Sequence, residues 1–129
     1  MNWLNKVKGE QAALLDTAYL DRLRHHLGEE VVDELLSDGE LELTDKTAQL
    51  GRQAAESDAE GMRRVSHDLI AVAGHLGLSA LSLAAVELNR NLRKGRDCDR
   101  LEALAAPVIA LAERSLGAMT VHRDGGAGT

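Results

Sequence analysis

Aliphatic residues between positions 62 and 76 return every three or four places, as Met62, Val65, Leu69, Val72 and Leu76. That stepping gathers on one face of an α-helix and on no face of a strand, whose side chains alternate with a period of two. The same stepping returns in Leu20, Leu23, Leu27, Val31 and Leu35, then more weakly in Leu43, Thr47 and Leu50. Two further stretches carry it, Leu81, Ala85, Leu88 and Leu92, then Leu101, Leu104, Val108 and Leu111. A chain with several such stripes has to bury them against one another. Only 2% of its residues are aromatic and Phe is absent, so the shared core is aliphatic. One Pro in 129 residues leaves the helices largely unbroken.

The polar residues between the stripes set the expected boundaries. Asp16 is placed to cap a helix reaching about Ser37, where Ser37-Asp38-Gly39 stops it. Ser37 with Glu40, and Ser57 with Glu60, each read as a capping box, opening helices over about 40–56 and 57–77. Gly77 ends the latter. A further helix follows from Leu78 to Lys94-Gly95-Arg96, and a last one from about Asp97 to Met119, bent at Pro107. Short loops between long helices favour antiparallel neighbours. The expectation is an all-α, antiparallel up-and-down four-helix bundle over residues 16–120, with a short N-terminal helical extension over 1–15 carrying Trp3, Leu4 and Val7. Residues 121–129 are expected as a flexible tail.

Charge and cysteine usage remove several function classes. A formal net charge of −6 offers no general attraction to nucleic acid or anionic lipid. The longest apolar run, Leu104 to Ala112, is too short to span a bilayer and contains Pro107. A single cysteine, Cys98, forms no internal disulfide, and no basic stretch leading into an apolar one directs secretion; a cytoplasmic location is expected. His25-His26, His67 and His75 have neither the spacing nor the partners of a metal set, so neither metal nor cofactor is expected.

His67 is the residue the pattern singles out. At about 100° per residue it lies roughly 170° from the apolar stripe of its own helix, aimed at water. Arg63, Arg64, Ile70, Ala71 and Gly74 lie within about one turn on the same face. A merely solvated face is richer in Glu, Lys and Gln. Here two cations and small or apolar residues frame an imidazole, and Ala71 and Gly74 leave room for another protein to approach it, with Ile70 as apolar contact area.

His67-Asp68-Leu69, followed by Gly74-His75-Leu76-Gly77-Leu78 and Leu81, resembles the signature of histidine-containing phosphotransfer domains. In that family an apolar residue comes two places after the histidine and a glycine ten places after it, here Leu69 and Gly77. Upstream, Leu20-Asp21-Arg22-Leu23 through Leu27-Gly28-Glu29-Glu30 and Glu34-Leu35-Leu36 is similar to the family's first bundle helix, so the resemblance covers about 15–119. It implies a monomeric phosphoryl carrier, not itself an enzyme, with His67 as phosphoacceptor and with a sensor histidine kinase and response-regulator receiver domains as partners. The family's lysine three places after the histidine, and the glycine four places after, are replaced by Ile70 and Ala71. Arg63 or Arg64 can supply the missing charge, and Asn89 matches a position where the family often has a polar residue reaching toward the histidine.

Two other classes stay open. Ser66-His67-Asp68-Leu69 also resembles the phosphoacceptor box of histidine-kinase dimerisation domains, without the basic residue and proline that usually follow; that reading expects an obligate dimer. Alternatively, Ile70 in place of lysine marks a degenerate module that binds a receiver or kinase without carrying phosphate.

Overall fold

A computed structural model describes residues 14–95 and 100–127, with side chains to 123. Five helices make up the described chain: α1 (Thr17–Leu27), α2 (Glu29–Ala55), α3 (Ala59–His75), α4 (Ser79–Arg93) and α5 (Leu101–Ala127). No strand occurs among the described residues, so the fold is all-α. The expectations for Trp3, Leu4, Val7, Asp97 and Cys98 lie outside the described residues. α2 packs on both α3 and α5, α4 packs on the same two helices, and α1 lies against α2.

The stripes meet in one core. Leu20, Leu36, Leu43, Leu50, Met62, Leu69, Leu76, Leu78, Leu81 and Met119 are fully buried. Each such side chain contributes about 1.5–3 kcal/mol over its exposed state. Leu27 and Val31, expected to continue the first stripe, are instead half-exposed, at 51% and 49%. The physical reason is the place of the break. Gly28, at φ 88°, ends α1 by donating its N–H to the Arg24 carbonyl, so Leu27 and Val31 sit at a corner rather than along one helix face.

Ser37-Asp38-Gly39 stops nothing, and α2 runs through it. Gly39 is buried against Leu76, the residue that caps the end of α3, so its missing side chain serves a close approach to that end rather than a turn. The second capping box is displaced by one residue. Asp58, not Ser57, accepts from the N–H of the third residue along, Gly61, at 2.9 Å, while Ser57 takes the left-handed φ of 57° that closes α2. Asp16 caps α1 as expected, accepting from Tyr19 N–H at 3.0 Å.

Gly77 ends α3 at φ 75° in a Schellman arrangement, with Leu78 N–H on the Ala73 carbonyl at 2.8 Å. The start of α1 is pinned to that turn. Asp16 N–H donates to the Gly77 carbonyl at 2.8 Å, and the Tyr19 hydroxyl donates to the His75 carbonyl at 2.9 Å.

α5 continues past Met119 to Ala127, because its last turns have partners. Arg123 pairs with Glu40 at 3.0 Å, and an Arg24 nitrogen lies 2.9 Å from His122 Nε2. Leu101–Arg123 is long and apolar enough, by length and composition alone, to cross a membrane. Leu101, Ala105, Val108, Ala112 and Met119 on that helix are buried within the protein core.

Candidate functional site

α3 exists because Asp58 caps it and its apolar stripe is covered; both facts aim the opposite face outward. Met62, Val65, Leu69 and Val72 are buried, and His67 is exposed. The backbone beneath His67 is held firmly. Ser66, with no exposed surface, donates its hydroxyl to the Arg63 carbonyl at 2.9 Å. Asn89 of α4 donates from Nδ2 to the same carbonyl at 3.1 Å and to Ser66 Oγ at 3.0 Å. A buried amide satisfied in this way ties α4 to the turn of α3 that carries the histidine.

His67 opens into a depression of about 810 Å3 shared with Glu60, Arg63, Arg64, Asp68, Asn89 and Arg93. Its imidazole makes no hydrogen bond or ion pair among the described residues. The charges around it are sorted. Arg63 is paired to Glu60 at 2.5 Å, and Lys46, reaching from α2, is paired to Asp68 at 3.2 Å. Arg64 and Arg93 have no ion-pair partner among the described residues. Each acid lining the depression is therefore matched by a cation, and two guanidinium groups are left over.

Of the residues expected near His67, Arg63, Arg64 and Asn89 share its depression. Asn89 does so with its Nδ2 already engaged, so it braces the helix and presents only its remaining acceptor. Ile70 does not stand out as free apolar surface: it is half-buried against the core, and its carbonyl accepts from the Ser82 hydroxyl at 3.2 Å. Ala71 is exposed and lines a neighbouring groove of about 370 Å3 between α2 and α3, together with Gly39, Lys46, Asp68 and His75. Gly74 is exposed, with open space where a side chain would stand.

No family model, curated protein or solved structure matches this chain. The site therefore has to be read from its own chemistry.

Two members of the site escaped the sequence. Arg93 carried a weak signal, four residues after Asn89 and so on the same face of α4. Lys46 carried none, since twenty-one residues separate it from His67 and only helix packing brings it to Asp68. Among the described residues no three His, Cys, Asp or Glu side chains gather into a metal-binding group. What the arrangement offers is a solvent-facing nitrogen nucleophile beside two uncommitted guanidinium groups, on a helix that does not have to move to present it. Arginine presents planar paired donors that suit the oxygens of a phosphoryl group.

Proposed function

We propose that this chain is a histidine phosphotransfer protein, in which His67 accepts a phosphoryl group and hands it on. It would relay between receiver domains, or between a sensor histidine kinase and a response regulator, in the cytoplasm and as a monomer. The observation that carries this reading is the unengaged, exposed imidazole of His67 in a depression with Arg64 and Arg93. The architecture in this reading is an up-and-down four-helix bundle of α2 to α5, with α1 as an N-terminal addition; the packing of α2 and α4 each on both α3 and α5 supports it.

Phosphoryl transfer suits such a site because it depends mainly on positioning and charge neutralisation. A ring nitrogen of His67 attacks the phosphorus of a receiver's aspartyl phosphate; the N–P bond forms as the P–O bond breaks, and the electron pair leaves with the carboxylate. Arg64 and Arg93 neutralise charge on the phosphoryl oxygens. The receiver brings whatever metal its own acyl phosphate needs, and this chain needs no general base.

A second reading keeps one observation in its favour. Ile70 stands where the resembled family has lysine, so a module that binds a receiver or kinase without taking phosphate remains the rival. Incubation with a phosphorylated receiver domain, followed by an assay for acid-labile phosphate on this chain, separates the two. Phosphate should appear on the wild type and be abolished in His67→Gln, whose circular dichroism and receiver affinity should stay near wild type because an exposed helix position tolerates polar exchange. Absence of phosphate on the wild type, with binding retained, selects the interaction module.

A further inference from the structure

The depression around His67 would be electrostatically different without a residue from another helix. Glu60 and Asp68 both line it, and a carboxylate left unmatched there repels an incoming phosphoryl group. Glu60 is neutralised by Arg63 within the first turns of α3 itself. Asp68 makes no ion pair on α3, although Arg64 stands one turn before it and lines the same depression. Its partner is Lys46, whose ammonium crosses from α2 to reach Oδ2 at 3.2 Å. The lysine side chain is 23% exposed against 47% for the aspartate, so the cation is the better-held member of the pair.

Resting on the carrier reading, we propose that Lys46 is a positioning residue for phosphoryl transfer at His67, holding the Asp68 carboxylate so that the depression offers Arg64 and Arg93 to the phosphoryl oxygens instead of an unmatched acid. Lys46 touches neither the imidazole nor the phosphoryl group. It acts through Asp68. Lys46 also lines the groove between α2 and α3 beside Ala71, with its side chain 23% exposed.

The test uses the full chain and phosphoramidate as a small phosphoryl donor, which removes partner docking from the measurement. Lys46→Met should slow phosphorylation of His67 by about two- to five-fold, the range to which the free energy of a partly exposed pair converts. Asp68→Asn, which removes the charge Lys46 answers, should not slow it, and the double variant Lys46→Met/Asp68→Asn should return to the rate of Asp68→Asn alone. Lys46→Arg should rescue. The slowing should also shrink as salt is raised, which lost packing would not produce. Equal rates for wild type and Lys46→Met overturn the proposal, as does a double variant as slow as Lys46→Met alone. A wild type that takes no phosphate at all overturns the carrier reading and the proposal with it, an outcome distinct from equal rates on a chain that does take phosphate. Should Lys46→Met fold poorly, Asp68→Asn decides by itself: a slowing in that variant contradicts the role assigned to the pair.

Discussion

Position 70 lies one turn beyond His67, and its isoleucine is half-buried against the core. A lysine there can leave its methylene stem where the isoleucine packs and extend its ammonium into water beside the imidazole. On the carrier reading proposed above, Ile70→Lys should therefore lengthen the lifetime of phosphorylated His67 by adding a charge-assisted donor to the phosphoryl oxygens, at about 1 kcal/mol of lost packing. The decay of acid-labile phosphate measures the first effect and a denaturant midpoint the second. An unchanged lifetime would mean that the ammonium does not reach the phosphoryl group. Asn89 illustrates the opposite economy at the same scale. A polar residue at the edge of the site is spent on a carbonyl and a serine hydroxyl, and fixes the helix under His67.

Among the elements, α2 carries two glycines with opposite consequences for its neighbours. A Cβ built at Gly39 runs into the Leu76 side chain, which is fully buried and cannot swing into solvent; one built at Gly51 meets only Ile109 Cδ1 at an ordinary 3.7 Å. Alanine gains up to about 1 kcal/mol over glycine inside a helix. Overpacking of a filled core costs about 1–3 kcal/mol, so at Gly39 the clash wins and at Gly51 the helix preference does. Gly39→Ala should lower the thermal midpoint and Gly51→Ala raise it, read by calorimetry on the two single variants. A Gly39→Ala chain as stable as wild type would show that α2 and α3 can separate without loss. Lys46 and Asp68 face each other across the contact between these two helices.

At the scale of the whole molecule, the end of α5 is tied down by charge and hydrogen bonding more than by apolar burial. Arg24 lies near Asp21, Asp33 and His122, and Arg123 bonds to Glu40 and to the Ser37 hydroxyl at 3.2 Å. Burial holds the His122 pKa below its ordinary 6.5, the Arg24 guanidinium lowers it further, and Asp21 and Asp33 oppose both. The unfolded chain then binds this proton at a higher pH than the folded one. The contribution is intact above about pH 6.5 and is lost as the pH falls through the folded value. Thermal midpoints measured from about pH 7 to about pH 5 should fall more steeply for wild type than for His122→Gln. Parallel curves would mean that the contact with Arg24 does not depend on a neutral ring.

From the amino-acid pattern alone it follows that the described residues are helical, which faces of α3 and α4 are buried, and that His67 points the other way. Those follow from local periodicity, and every residue needed for the inference lies on one helix. Gly77 was readable for the same reason: a glycine directly after an apolar stripe closes a helix within a few residues of itself. Ser37-Asp38-Gly39 and Gly28 were not: the first reads as a stop and the second as helix interior, and the structure reverses both. Only the approach of Leu76 decides that Gly39 is a contact between helices, while Gly28, with nothing near it, is the true break. The tertiary structure alone decided that Ile70 is half-buried, that the last turns of α5 are held by Glu40 and Arg24, and that Lys46 and Arg93 join the histidine's surroundings. Each of these depends on contacts between helices, whose register is fixed by three-dimensional packing of a core that a one-dimensional pattern does not encode.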